Sequence, residues 1–192
     1  MRMQYSQEPY IAALLAALEA RDAETAGHSR RVADMAERFC RYLDLPERER
    51  GTVVSAAALH DVGKIGMPDG VLYSARRFSA LERREMRRHP EVGARILRSS
   101  GRPEEEAELV LCHHERWDGR GYPRGIGGEA IPPGARIIAL CDSLDAMSFG
   151  RRYRAPEEAD RCADELRRCA GAQFDPRLAE AFLDFLASPA AR

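Results

Sequence analysis

Ile11 to Ala20 reads IAALLAALEA, a run of strong helix formers that commits the start of the chain to a helix. The same pattern recurs. Apolar positions at helical spacing run from about Thr25 to Leu43, and Pro46 opens a third segment, about Glu47 to Asp61, because proline suits a first helical turn. Gly63, Gly66, Pro68 and Gly70 then break the pattern. Ser79 with Glu82 signals a capping box for a helix ending before Pro90. A short helix over Glu91 to Ser99 follows, then one from Pro103 to about Trp117. Gly119 to Gly134 is too rich in glycine and proline to be regular. Arg136 to Ser148 reads as a buried helix, Glu157 to Ala170 as an amphipathic one, and Arg177 to Ala187 as a closing one. The spacing predicts an all-α chain, a single domain over 1–192 in which residues 1–20 lead into the remainder.

The 192 residues can bury roughly two-thirds or more of their unfolded surface, so folding needs no disulfides. The five cysteines are widely spaced with no CxxC pair, a pattern of reduced thiols in a cytoplasmic protein. No secretory leader and no membrane-spanning apolar run is expected. With 30 basic and 31 acidic side chains the net charge is −1, which gives no electrostatic basis for DNA or membrane binding. Nearly all the basic residues are arginine; Lys64 is the single lysine. A compact ammonium there suits a site, though arginine-rich composition alone also leaves few lysines.

The histidines carry the chemical signal. His60-Asp61 places imidazole and carboxylate side by side at the end of an apolar helix, a mixed nitrogen and oxygen donor pair for a metal. His113-His114 follows the apolar run LVLC, so at least one ring faces inward, where it needs a hydrogen bond or a metal. His28 lies four residues after Glu24, on one helix face. His89 precedes Pro90 at a helix boundary. Asp142 sits in the apolar run RIIALCD, as a ligand or as half of a buried salt bridge. Convergence of these groups would support two or three divalent ions. Cys112 and Cys141 flank ligand candidates and read as small buried hydrophobes.

Longer strings sharpen the reading. His60-Asp61-Val62-Gly63-Lys64-Ile65-Gly66 followed by Met67-Pro68-Asp69 resembles the HDxGKIGxPD signature of the HD-GYP family. His113-His114-Glu115-Arg116-Trp117-Asp118-Gly119-Arg120-Gly121-Tyr122-Pro123 resembles its HHExxDGxGYP signature. Ala135 to Asp142 with Asp145-Ala146, the Arg151, Tyr153 and Arg154 segment, and Gly171 to Pro176 resemble later blocks, so the likeness spans about Arg21 to Phe185. Two departures stand out: Tyr73-Ser74-Ala75-Arg76-Arg77-Phe78 replaces the usual KPGxL, and Arg120 stands where a small residue is common.

The resemblance implies a compact helical bundle of the HD type with an irregular GYP loop. It implies a cytoplasmic phosphodiesterase that hydrolyses cyclic di-GMP to pGpG, and in some members on to GMP, through a hydroxide bridging two metals, iron or manganese. By position, His28, His60, Asp61 and Asp142 would hold one ion, with Asp61 shared, and His89, His113 and His114 the second. Glu24 would mark a third, or is simply an acid favoured at a helix N-terminus. Asp61 and Lys64 would be catalytic, Lys64 facing a phosphate oxygen or pairing with a ligand carboxylate. Tyr122, Arg151 and Arg154 would contact substrate, with Tyr122 alternatively a loop anchor packed on Trp117. Arg31 falls at the site rim or on a solvated face. Candidate partners are a GGDEF-type cyclase docking on the GYP loop and a second copy in a homodimer. A non-catalytic cyclic-dinucleotide receptor and a hydrolase of another cyclic dinucleotide are the alternatives.

Overall fold

The computed structural model describes residues 9–74, 76–149 and 159–191. Their elements are α1 (Pro9–Arg21), α2 (Ala23–Tyr42), α3 (Glu47–Leu59), α4 (Asp69–Leu72), α5 (Ala80–Met86), α6 (His89–Ser99), α7 (Glu104–Cys112), α8 (Pro133–Ser148), α9 (Ala159–Cys169) and α10 (Pro176–Ala187). Short 3-10 turns occupy Val62–Gly66, Gly128–Ala130 and Pro189–Ala191. No strand occurs among the described residues, in agreement with the all-α reading.

Local chemistry accounts for the helix starts. The Asp22 carboxylate accepts the backbone N–H groups of Glu24 and Thr25, satisfying donors that α2 leaves unpaired at its N-terminus. Ser79 and Glu82 close the expected capping box on α5. Asp175 caps α10 through the N–H groups of Arg177 and Leu178.

α3 is the central helix. Every residue from Val53 to Leu59 is buried, against α2 on one side and α7 and α8 on others. Phe39 of α2 meets Phe182 and Phe185 of α10 at 4.8 and 5.4 Å between ring centres. Each such ring contributes about 1.5–3 kcal/mol by leaving water. Helix α1 buries Ile11, Leu15 and Leu18. Its Tyr10 hydroxyl donates to buried Glu106 of α7 at 3.3 Å, and Arg102 reaches the same carboxylate at 2.7 Å.

Two boundaries fall short of the sequence reading, and both matter to the site. Helix α3 ends at Leu59, leaving His60 as its cap and Asp61 at the head of the 3-10 turn. Helix α7 ends at Cys112 rather than near Trp117, so His113 caps it and His114 lies beyond. Helix α6 starts at His89 and α8 at Pro133, each earlier than expected.

The turn after α3 lies close against α6. A Cβ on Gly63 would stand 1.9 Å from the His89 carbonyl oxygen and 2.6 Å from the Gly93 nitrogen, so hydrogen is the only side chain that fits. Overpacking of this kind costs about 1–3 kcal/mol. We expect Gly63→Ala to lower the urea midpoint of unfolding by that amount with an unchanged slope; an unshifted midpoint would show that α6 can move aside freely.

Candidate metal centre

Three helix ends aim three imidazoles at one point. His60 Nδ1 donates to the Ala57 carbonyl at 2.7 Å, His89 Nδ1 to Met86 at 2.8 Å and His113 Nδ1 to Val110 at 2.6 Å. Each acceptor lies in the last turn of α3, α5 or α7, where helix carbonyls lack intrahelical partners. A carbonyl only accepts, so in each neutral ring Nδ1 carries the proton and Nε2 keeps its lone pair. His28, from α2, also donates from Nδ1, to the Asp145 carboxylate at 2.7 Å.

These lone pairs face a shared interior. Donor atoms of His28, His60 and Asp142 lie within 4.8 Å of one another, as do those of His89, His113 and His114, and those of His60, Asp61 and His113. His89 Nε2 and His113 Nε2 are 3.3 Å apart, a contact between two lone pairs that repels unless a cation stands near both. The buried Nε2 atom of His60 has no hydrogen-bond partner, and His28 Nε2 lies 3.0 Å from Asp142 Oδ1. Buried donors left open in this way, mixed with carboxylates, fit divalent metal ions.

Asp61 stands between the groups. Its Oδ1 is 3.3 Å from His89 Nε2, and its Oδ2 is 3.5 Å from His60 Nε2 and 3.9 Å from His28 Nε2. Lys64 Nζ lies 2.6 Å from Oδ2, a pairing that the tight 3-10 turn favours because side chains three apart eclipse. Burial works to raise the Asp61 pKa, but Lys64 and the imidazoles hold it well below the usual range. Burial depresses His60 and His113, and takes His89 down to about 3 and His114 down to about 4. Neutral rings and an ionised acid are the forms that bind metal. His28 differs: burial would lower it, yet Asp142 and Asp145 push it up to about 9.

The other candidates have separate placements. Glu24 is in the first turn of α2 and lines the cleft beside Lys64, outside the three close donor groups. Tyr122 does not pair its ring with Trp117. It lies 4.8 Å from the His114 ring, while Trp117 carries the Arg136 guanidinium. Arg151, Tyr153 and Arg154 lie outside the described residues. Arg31 falls at the rim, lining the cleft with a partly exposed side chain, and its Nε and Nη2 grip Asp145 at 2.7 and 2.9 Å.

Sequence reasoning passed over Asp145 and Glu115 as working residues. Asp145 is buried and links Arg31 to His28. It is three residues from Asp142 on an otherwise apolar helix, the spacing that puts two acids on one face. Glu115 Oε1 accepts the Arg124 and Gly125 N–H groups at 2.6 and 3.2 Å, folding the GYP loop back. Gly121 permits that fold, since a Cβ there would meet the Arg116 nitrogen at 2.4 Å.

A family model described as HD domain matches residues 13–178. The chain belongs to the HD domain family. It is 38% identical over 170 residues to the 3'3'-cGAMP-specific phosphodiesterase 2 of Vibrio cholerae, covering 88% of this chain and 33% of that protein. It is 39% identical over 167 residues to the cyclic di-GMP phosphodiesterase of Thermotoga maritima, covering 86% and 45%. This HD domain thus spans between a third and a half of those relatives' lengths. Among solved structures, a cyclic GMP-AMP specific phosphodiesterase of V. cholerae superposes with a TM-score of 0.73 at 20% identity, over 95% of this chain and 49% of that one. The HD domain of the L. monocytogenes phosphodiesterase PgpH in complex with cyclic-di-AMP gives 0.67 at 18%, over 91% and 93%. Both are alike in fold. No helix of the described residues is long and apolar enough to cross a membrane.

The Asp145 contact fixes the tautomer and direction of His28, and outer partners of ligating histidines are worth about 10–100-fold in metal affinity. We expect Asp145→Asn to weaken binding of the most loosely held ion by that factor, in metal titrations followed by elemental analysis, with helical circular dichroism unchanged. Full retention of metal affinity would show that α2 alone orients the ring.

Proposed function

We propose that this HD domain is the catalytic unit of a metal-dependent phosphodiesterase that opens cyclic di-GMP to pGpG. The observation that carries the reading is the set of imidazole Nε2 lone pairs aimed around Asp61 in a buried pocket, lined up beside an open cleft. The names of the relatives in V. cholerae and T. maritima support it.

In this reading His28, His60, Asp61 and Asp142 hold one ion, and His89, His113 and His114 with Asp61 hold a second. Glu24 completes a third from the cleft wall. Nitrogen and oxygen donors without thiolate suit iron or manganese. Bound divalent ions supply Lewis acidity toward phosphoryl oxygens and lower the pKa of water.

The chain's own residues do the rest. Lys64 keeps Asp61 ionised and brings a positive charge to both lobes of the cleft, where it opposes the negative charge of a phosphodiester. The Nδ1 bonds hold the imidazoles in place before substrate arrives, so little reorganisation is left for the reaction. Tyr122 offers a ring to a base, and Arg151 and Arg154 offer guanidinium groups to guanine edges and phosphates. Five cysteines that form no disulfide are in keeping with a cytoplasmic site of action. The 38% identity to a 3'3'-cGAMP-specific enzyme favours a second reading, in which a mixed GMP-AMP ring is the better substrate.

Metal-loaded protein should convert cyclic di-GMP to pGpG, with loss of activity on chelation and recovery on adding back metal. Asp61→Asn should lower kcat by more than about 100-fold, a ligand mattering more than its outer partners. Lys64→Met should lower kcat by about 100–1,000-fold, the scale of one lost charge-stabilising donor, at undiminished metal content. Intact cyclic di-GMP after prolonged incubation with metal-loaded wild type would overturn the reading. For Glu24, elemental analysis decides: Glu24→Gln should reduce the bound metal by one ion per chain, and an unchanged ratio would remove Glu24 from the ligand set.

A further inference from the structure

Lys64 sits between two anchored points of the chain. Just before it, Gly63 is pressed against the His89 carbonyl. Beyond it the backbone leaves the core: Lys64 and Ile65 are half-buried and Gly66 is exposed. The chain is buried again only at Met67. The turn Val62–Gly66 has five residues, long for a 3-10 turn, whose hydrogen bonds are poorly aligned. A turn of that length needs support from outside itself to keep one shape.

The support comes from the end of α1. Arg21 is the last residue of that helix. Its Nη2 donates to the Met67 carbonyl at 2.9 Å and lies 2.5 Å from Asp69 Oδ1. The Met67 N–H donates in turn to the Lys64 carbonyl at 3.0 Å, and the Lys64 N–H to the Asp61 carbonyl at 2.9 Å. A continuous line of bonds therefore runs from α1 to Lys64. Tyr73 closes the connection from the other side. Its hydroxyl donates to the Arg21 carbonyl, at a helix end where carbonyls lack intrahelical partners. Its ring centre lies 5.6 Å from the guanidinium carbon.

These contacts differ in what they can do. The Asp69 side chain is 73% exposed, and an ion pair with so exposed a partner adds little stability. The bond to the Met67 carbonyl is the directional one, and it falls on the residue that ends the turn. Arg21 does not itself line the cleft. We infer that Arg21 is a positioning residue for Lys64: through Met67 it fixes the outer end of the turn, and with it the place where the ammonium meets Asp61. The inference rests on the phosphodiesterase reading only for what the Lys64 charge does to substrate.

Because Lys64 is the only lysine, its amine can be followed without turnover. Acetylation of the metal-loaded chain by an N-hydroxysuccinimide ester, read by peptide-mapped mass spectrometry, reports how readily the side chain leaves Asp61. Arg21→Met keeps an unbranched stem and removes the donors. It should speed Lys64 acetylation by about fivefold or more, the weight of one lost hydrogen bond, with helical circular dichroism and metal content unchanged. It should also lower kcat by about 10–100-fold, the scale of a small misplacement, with KM little altered. Arg21→Lys can still reach the Met67 carbonyl and should restore slow acetylation of Lys64, its own amine falling on a different peptide. Tyr10→Phe removes a polar tie of α1 to Glu106 instead and should leave Lys64 acetylation within about twofold of wild type. A wild-type acetylation rate in Arg21→Met would overturn the inference. So would equal acceleration in Tyr10→Phe, which assigns the effect to general loosening of α1, or Arg21→Lys reacting as fast as Arg21→Met. If acetylation responds as expected but wild type opens no cyclic dinucleotide, the positioning role stands and the hydrolase reading falls. Turnover of cyclic di-GMP with acetylation unmoved in Arg21→Met gives the reverse.

Discussion

The bond from an imidazole Nδ1 to a carbonyl at the end of a helix is the interaction on which the rest depends. His60, His89 and His113 each make it, to Ala57, Met86 and Val110. One contact meets two needs. It satisfies a carbonyl that the helix cannot pair internally, and it leaves Nε2 unprotonated and pointing inward. The ends of α3, α5 and α7 therefore cannot be displaced without turning a donor away from the centre. Gly63 is part of the same constraint, because only its missing Cβ lets the turn carrying Asp61 lie against His89.

Around that centre the charges are arranged in pairs. Asp61 is held ionised by Lys64, Asp145 by His28 and Arg31, and buried Glu106 is held by Arg102 and Tyr10. The buried polar atoms without a hydrogen-bond partner include the Nε2 atoms of His28 and His60, where desolvation without a partner is costly. An ion bound there would return that cost as folding free energy. Occupancy of the centre would therefore add to the stability that the hydrophobic core supplies.

Much of the fold was legible before any coordinates. Helical periodicity, the Ser79 and Glu82 capping box and the breaks at glycine and proline gave the helix order. The ends were harder. Nothing in the run LVLCHHERW shows that α7 stops at Cys112, because the stop is made by His113 reaching back to Val110 and by Gly121 packing on the following turn. Asp145 has no role legible in the sequence, since its partners Arg31 and His28 lie more than a hundred residues away along the chain. Sequence leaves Tyr122 open as a substrate contact or a loop anchor on Trp117, and the fold sets its ring beside His114.

The sequence by itself determined the chemistry and the class of fold. Five histidines, the acids beside them, a lone lysine and two long signature strings are local facts, and helix propensity and capping act over a few residues. Only the tertiary structure decided direction and company: which nitrogen of each ring faces the centre, that Lys64 closes on Asp61, and that Arg31 serves Asp145. Those outcomes depend on contacts between helices distant in sequence, and a shift of one residue at a helix end would rotate a side chain by about 100° and undo them.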